Sequence, residues 1–200
     1  MAVSLQKGQK VSLKKSDGRK LSRLMVGLGW DEAEQKKGFF GRLFGSVDHI
    51  DCDASVFLCQ SGKFVDKDDL VYFGNLKHRS GAVKHMGDNL TGAGEGDDEQ
   101  IFVNLDDLPS RYDKLIFVVN IYQAVERKQH FGMIKNAFIR IIDDETREEL
   151  CRFNLSEDYT NMLSMIAGEV YRYKGEWKFN AMGVGTTDEG LSSLSRRFSQ

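Results

Sequence analysis

The run Leu115-Ile116-Phe117-Val118-Val119-Asn120-Ile121 decides the class of fold. Every second residue, Leu115, Phe117, Val119 and Ile121, is large and apolar, and β-branched or aromatic residues dominate, so the run reads as a strand with a core-facing side. The same alternation recurs in Ala54-Val56-Leu58, in Ile101-Val103-Leu105 and from Phe138 through Ile142. Residues 24–30, 70–73 and 177–182 extend the pattern. Turn-forming clusters separate the runs: Ser61-Gly62-Lys63, Asp106-Asp107-Leu108-Pro109, Asp143-Asp144-Glu145-Thr146 and Lys174-Gly175-Glu176. The single proline, Pro109, falls between runs and breaks no strand. Many short strands divided in this way predict a mainly β chain folded as a two-layer antiparallel β-sandwich with short helices. Helical signals are weaker: Ser156-Glu157-Asp158 reads as a cap before a short helix at 162–169, and 122–129 reads as a connector.

At 200 residues the chain is long enough for one well-buried domain, taken as 1–190, with 191–200 as a mobile C-terminal tail too short and polar to build a core. Apolar residues at 40% and charged residues at 29% place it among globular proteins. A net charge of −2 leaves no basic surplus to neutralise phosphates, so no nucleic-acid partner is expected. The first seven residues lack an apolar signal core and no window has the length of a membrane span, which predicts a cytoplasmic protein. Cys52, Cys59 and Cys151 cannot all pair and show no zinc-like spacing; Cys59 and Cys151 sit in strand-like runs as small hydrophobes.

Chemistry concentrates in Gly87-Asp88-Asn89-Leu90-Thr91-Gly92-Ala93-Gly94-Glu95-Gly96-Asp97-Asp98-Glu99, which sets carboxylates, an amide and a hydroxyl among four glycines with no cation or aromatic between them. Glycine lets carbonyls as well as side chains turn to one point, and many hard oxygens at one point suit Ca²⁺. Without a cation, such crowded carboxylates repel one another. A second acidic cluster, Asp51-Cys52-Asp53-Ala54-Ser55, opens a strand and puts Asp51 and Asp53 on one face about 6.5 Å apart. The candidate metal ligands are therefore Asp51, Asp53, Asp88, Asp97, Asp98 and Glu99, then Asn89, Thr91 and Glu95, with carbonyls from Gly92 or Gly94.

Rival readings of the loop fail on position. Counted from Asp88 as an EF-hand, Glu99 falls at the twelfth place, but Leu90 and Gly92 occupy ligand places and Ala93 the required glycine. A P-loop needs a terminal Lys-Ser/Thr, and the acidic residues here would repel a phosphate. His49, His78, His85 and His130 lie in turn-like or polar segments and read as surface or loop histidines, and no catalytic residue is identifiable. The segment Lys36-Lys37-Gly38-Phe39-Phe40-Gly41-Arg42-Leu43-Phe44-Gly45 reads as an insertion between strands. Its aromatics either fold back on the sandwich, dock on a partner, or associate weakly with an anionic membrane surface.

With these residues in hand, the chain resembles the TerD family of tellurite-resistance and stress-response proteins. The resemblance runs from Val3 to about Gly185 and is strongest in the Gly87-to-Glu99 segment. Val26-Gly27-Leu28-Gly29-Trp30, Asp51-Cys52-Asp53-Ala54-Ser55, Phe131-Gly132, Asn136-Ala137-Phe138 and Gly175-Glu176-Trp177-Lys178-Phe179 support it, and the insertion is similar to that of the TerZ branch. The resemblance implies a bacterial Ca²⁺-binding β-sandwich acting as a sensor or scaffold with other proteins of a stress-response complex. Departures are Tyr122-Gln123, where many members carry His-Asp, and His49, where many carry a carboxylate that Asp48 would replace. The alternatives are a metal-dependent enzyme acting on a phosphorylated or oxyanion substrate, and a calcium-dependent membrane-surface adaptor.

Overall fold

The computed structural model describes residues 2–32, 49–87 and 96–200. Twelve strands occur among them: β1 (Val3–Leu5), β2 (Lys10–Ser12), β3 (Arg23–Glu32), β4 (Cys52–Gln60), β5 (Leu70–Val71), β6 (Val83–His85), β7 (Glu99–Asn104), β8 (Tyr112–Ile121), β9 (Ile134–Asp143), β10 (Glu149–Asn154), β11 (Ser164–Tyr173) and β12 (Glu176–Thr186). They form two six-stranded sheets, one ordered β1-β10-β9-β3-β7-β6 and the other β2-β12-β11-β8-β4-β5. Every strand pair is antiparallel except β1 with β10, where the first strand adds to the sheet edge in parallel.

The core lies between the sheets, as period two predicts. Ala54, Val56 and Leu58 of β4 meet Leu115, Phe117, Val119 and Ile121 of β8, facing Val26 and Leu28 of β3 and Ile139 and Ile141 of β9. Register is held by turns of the expected kind. Ser61 and Gly62 have φ 51° and 77°, and Lys174 and Gly175 have φ 51° and 80°. Positive φ at both central positions matches the twist of the strands they join.

Two elements differ from the sequence reading. The segment predicted as a short helix at 162–169 mostly belongs to β11, because β8 and β12 flank it and their ladders take up its backbone groups. Its helix-forming residues are overridden by burial between neighbours. The tail from 191 contains a helix, Leu191–Phe198, with Leu194 fully buried. The reason lies on the reverse side of β4 and β8. Phe57, Cys59, Ile116 and Val118 are also apolar there, and with Phe64 and Ile166 they form a second cluster that Leu191, Leu194 and Phe198 cover. The Phe57 and Phe198 rings meet edge-on at 5.0 Å.

A buried polar network ties the connections to β8. Asp69 is fully buried. Its Oδ1 accepts from the Tyr112 hydroxyl at 2.6 Å and Arg79 at 2.7 Å, with His78 Nε2 at 3.2 Å, while Oδ2 accepts from Gln60 at 3.0 Å. Burial alone would push this carboxyl up, but the hydrogen bonds and the Arg79 charge outweigh it and hold the pKa below the ordinary value. Asp69, His78 and Ser80 stand in the order of a hydrolytic relay. The Ser80 contacts, however, close the local turn: its hydroxyl lies 2.7 Å from His78 Nδ1 and accepts the Ala82 N–H at 3.2 Å. His78 and His85, read from sequence as surface or loop residues, are each 1% exposed. Both carry inward polar contacts that an apolar side chain could not make.

Candidate cation site at one end of the sandwich

Two strand starts, one from each sheet, carry the acidic residues. β4 opens at Cys52 and β7 opens at Glu99. In β7 the residues Glu99, Ile101 and Val103 point inward together, so Glu99 is a buried carboxylate. Its Oε2 accepts the Ala54 N–H at 2.6 Å, which links the first sheet to the second. The strand edge at Ala54 needs such a partner, because β5 pairs only with Val56 and Phe57. His85 completes the link, with Nε2 3.1 Å from the Ala54 carbonyl and 3.2 Å from Glu99 Oε2. The Gly87 N–H donates to His85 Nδ1 at 2.9 Å, so the neutral ring carries its proton on Nε2. Burial pulls the His85 pKa down, but Glu99, the Ala54 carbonyl and Asp53 raise it above the ordinary value.

Asp98 is fixed by β3: its N–H donates to the Leu28 carbonyl at 2.8 Å, and its Oδ2 accepts the Trp30 N–H at 2.6 Å. On the β4 side, Asp51 is exposed and its carbonyl accepts the Tyr122 N–H at 2.7 Å. Asp53 is half-buried and pairs in register with Asn120 of β8. The starts of β4 and β7 are joined by the Glu99–Ala54 bond. Burial pushes the Cys52 thiol well up, and the charges of Asp53, Asp51, Glu99 and Asp98 push it further.

The donors offered here are hard oxygens. The Asn120 carboxamide oxygen is buried, has no hydrogen-bond partner among the described residues, and belongs to the residue opposite Asp53. Asp51, Asp53, Asp98, Glu99 and Asn120 together fit the chemistry of Ca²⁺, which takes carboxylate and carboxamide oxygens in flexible arrangements. Among the described residues, no three His, Cys, Asp or Glu side chains converge tightly enough to hold an ion by themselves. The expected donors Asp88, Asn89, Thr91, Gly92, Gly94 and Glu95 lie outside the described residues, as does the insertion at 36–45.

Asp97 has different partners from its neighbours. Arg140 grips it with two bonds, Nε to Oδ1 at 2.7 Å and NH2 to Oδ2 at 3.0 Å, and Gln100 donates to Oδ2 at 3.1 Å. Arg140 also donates to Glu149 at 3.0 Å. Gly27 makes room for this pair, since a Cβ there would lie 2.2–2.4 Å from the Asp97 carboxyl atoms. At Gly29 a Cβ would meet the Phe138 ring at 2.5 Å and the Gly96 carbonyl at 3.0 Å. The two glycines of Val26-Gly27-Leu28-Gly29-Trp30 thus seat the end of the glycine loop against β3. Sequence reading passed over Arg140 and Asn120 and read His85 as a surface or loop residue, whereas it is buried. Only the inward alternation of Val83 and His85 carried a signal for any of them.

Comparison with known proteins agrees with this architecture. The TerD domain model matches residues 1–198. The stress response protein SCP2 of Bacillus subtilis (strain 168) is 54% identical over 199 residues, covering 99% of this chain and all of that protein. The tellurium resistance protein TerD of Serratia marcescens is 43% identical over 199 residues, covering 99% of this chain and 97% of that one. The crystal structure of a TerD homologue from Streptomyces coelicolor A3(2) superposes with a TM-score of 0.59 at 20% identity, covering 87% of this chain and 94% of that one, which shows a shared fold. The chain belongs to the TerD domain family.

Proposed function

We propose that this protein is a calcium-binding module of a tellurium- and stress-resistance response, acting as a sensor or scaffold for other proteins. The stress-response part of the reading is supported by the names of relatives such as SCP2 and TerD, which match nearly the whole chain. The calcium part is carried by one observation: Glu99 accepts the Ala54 N–H at 2.6 Å, which sets the strand start that carries Asp51 and Asp53 beside the one that carries Asp98 and Glu99. A bound divalent cation would attract carboxylates on both strand starts and link the two sheet ends more firmly than the Glu99–Ala54 bond does alone. Asp98 and Glu99 are held ready for this role, each by a backbone N–H donated from a strand. The ion-bound surface would then differ in shape and charge from the ion-free one, which is what a partner would read.

Asp53→Asn and Asp98→Asn test this reading. Each should weaken Ca²⁺ binding at least tenfold, about 1.4 kcal/mol. Glu145→Gln, in an exposed turn where Glu145 pairs with Lys15, should leave binding unchanged. Equal effects at all three positions would show that the acids act only through bulk charge.

A further inference from the structure

We propose, resting on the calcium reading above, that Asp97 serves as an anchor rather than a ligand and that Arg140 is the positioning residue that presents Asp98 and Glu99 to the cation. Arg140, Gly27 and Gln100 stand side by side across three strands, since Gly27 of β3 pairs in register with Arg140 of β9 and with Gln100 of β7. The Asp97 carboxylate sits over the centre of that row, where the missing Gly27 side chain leaves space for it. Two bonds from Arg140 and one from Gln100 hold it there, and the residue is 6% exposed. A bidentate guanidinium–carboxylate pair fixes orientation as well as position.

The consequence reaches the next two residues through the backbone. With Asp97 pinned above Gly27, the Asp98 N–H meets the Leu28 carbonyl, its side chain meets the Trp30 N–H, and Glu99 enters β7 pointing inward to Ala54. Releasing Asp97 frees the chain at the point where the loop joins the strand, and the two carboxylates lose their common setting. The sign of the effect separates this from electrostatics. Removing the Arg140 charge near an acidic cation site should, by Coulomb's law alone, tighten cation binding. If Asp97 were itself a ligand, freeing it from Arg140 would tighten binding further. An anchor predicts the opposite.

The experiment is calorimetric titration of the chelator-treated full chain with Ca²⁺, for wild type, Arg140→Gln, Gly27→Ala and Glu149→Gln, with each variant's melting temperature recorded in chelator. Arg140→Gln should weaken binding at least tenfold against the charge trend. Gly27→Ala, which displaces the Asp97 carboxylate without altering any charge, should weaken it likewise and keeps the test open if Arg140→Gln does not fold. Glu149→Gln removes the other Arg140 partner and should stay within about twofold, because a general loss of sheet stability would move both partners' variants alike. Wild-type binding with unchanged or tighter binding in Arg140→Gln or Gly27→Ala overturns the anchor and leaves the calcium reading intact. No binding by wild type overturns the calcium reading and the anchor with it.

Discussion

Replacing Leu194 by Ala removes a fully buried side chain from the helix that covers the outer face of β4 and β8. Its surroundings include Phe57, Ile116, Val118 and Ile166, flanked by Leu191 and Phe198 one turn away on each side. Truncating a buried leucine costs about 2–5 kcal/mol, the transfer term plus the cavity left behind. Alanine is at least as good a helix former as leucine, so the helix itself loses nothing and the whole effect reports docking. A loss of about 3 kcal/mol in a domain of this size lowers the melting temperature by roughly 6–12 °C. Urea unfolding followed by tryptophan fluorescence measures it, with Ser192→Ala on the exposed side of the helix as control. A change in stability below about 0.5 kcal/mol, the range of ordinary surface substitutions, would refute the docked helix and restore a free tail.

The Asp69 carboxyl is held below its ordinary value in the folded protein, so its contribution to stability is fully present above the unfolded carboxyl pKa of about 3.9. That contribution is lost as pH falls through the lower folded value. Asp69→Asn should cost about 1–3 kcal/mol near pH 7, because the buried Tyr112 hydroxyl and His78 ring lose a charged acceptor, and should flatten the acid limb of the stability profile; unfolding curves from pH 2 to 7 that superpose in shape for both proteins would contradict this. Burial pushes Cys59 and Cys151 up to about 12 and Cys52 well above its ordinary value. An Ellman reaction at pH 7.5 should therefore label three thiols promptly in denaturant and none at a comparable rate in the native protein, and rapid native labelling would show that the strands open readily.

Strand periodicity carried most of the fold, because inward residues such as Val56, Leu58, Phe117 and Val119 alternate cleanly with their neighbours. What it hid was the second apolar face. Phe57, Cys59, Ile116 and Val118 turn alternation into continuous apolar runs, a mark of strands covered on both sides. That pattern foretells a cover such as Leu191–Phe198, although the helix alone is too short and polar to stand out. β11 was misread because Met165, Ala167 and their neighbours favour helix locally, and only pairing with β8 and β12 decides otherwise. The acidic clusters were legible as clusters, since glycines and carboxylates concentrate there. Their partners were not. Arg140 lies 43 residues from Asp97 in sequence, and its role depends on the register that brings β9, β3 and β7 side by side. Asn120 sits inside the most hydrophobic run of the chain, where a lone polar residue reads as a break in the pattern rather than as a donor.

The calcium claim is tested most directly by calorimetric titration of the chelator-treated wild-type chain with Ca²⁺ and, separately, with Mg²⁺. A flexible set of carboxylate and carboxamide oxygens accommodates the larger ion and its higher coordination number, whereas Mg²⁺ demands a near-ideal octahedron and gives up water reluctantly. The expected result is saturable Ca²⁺ binding that is at least tenfold tighter than Mg²⁺ binding, with a melting temperature that rises with Ca²⁺ concentration as a ligand of the native state requires. Absence of binding heat, together with an unchanged melt between chelator and millimolar Ca²⁺, would contradict the account.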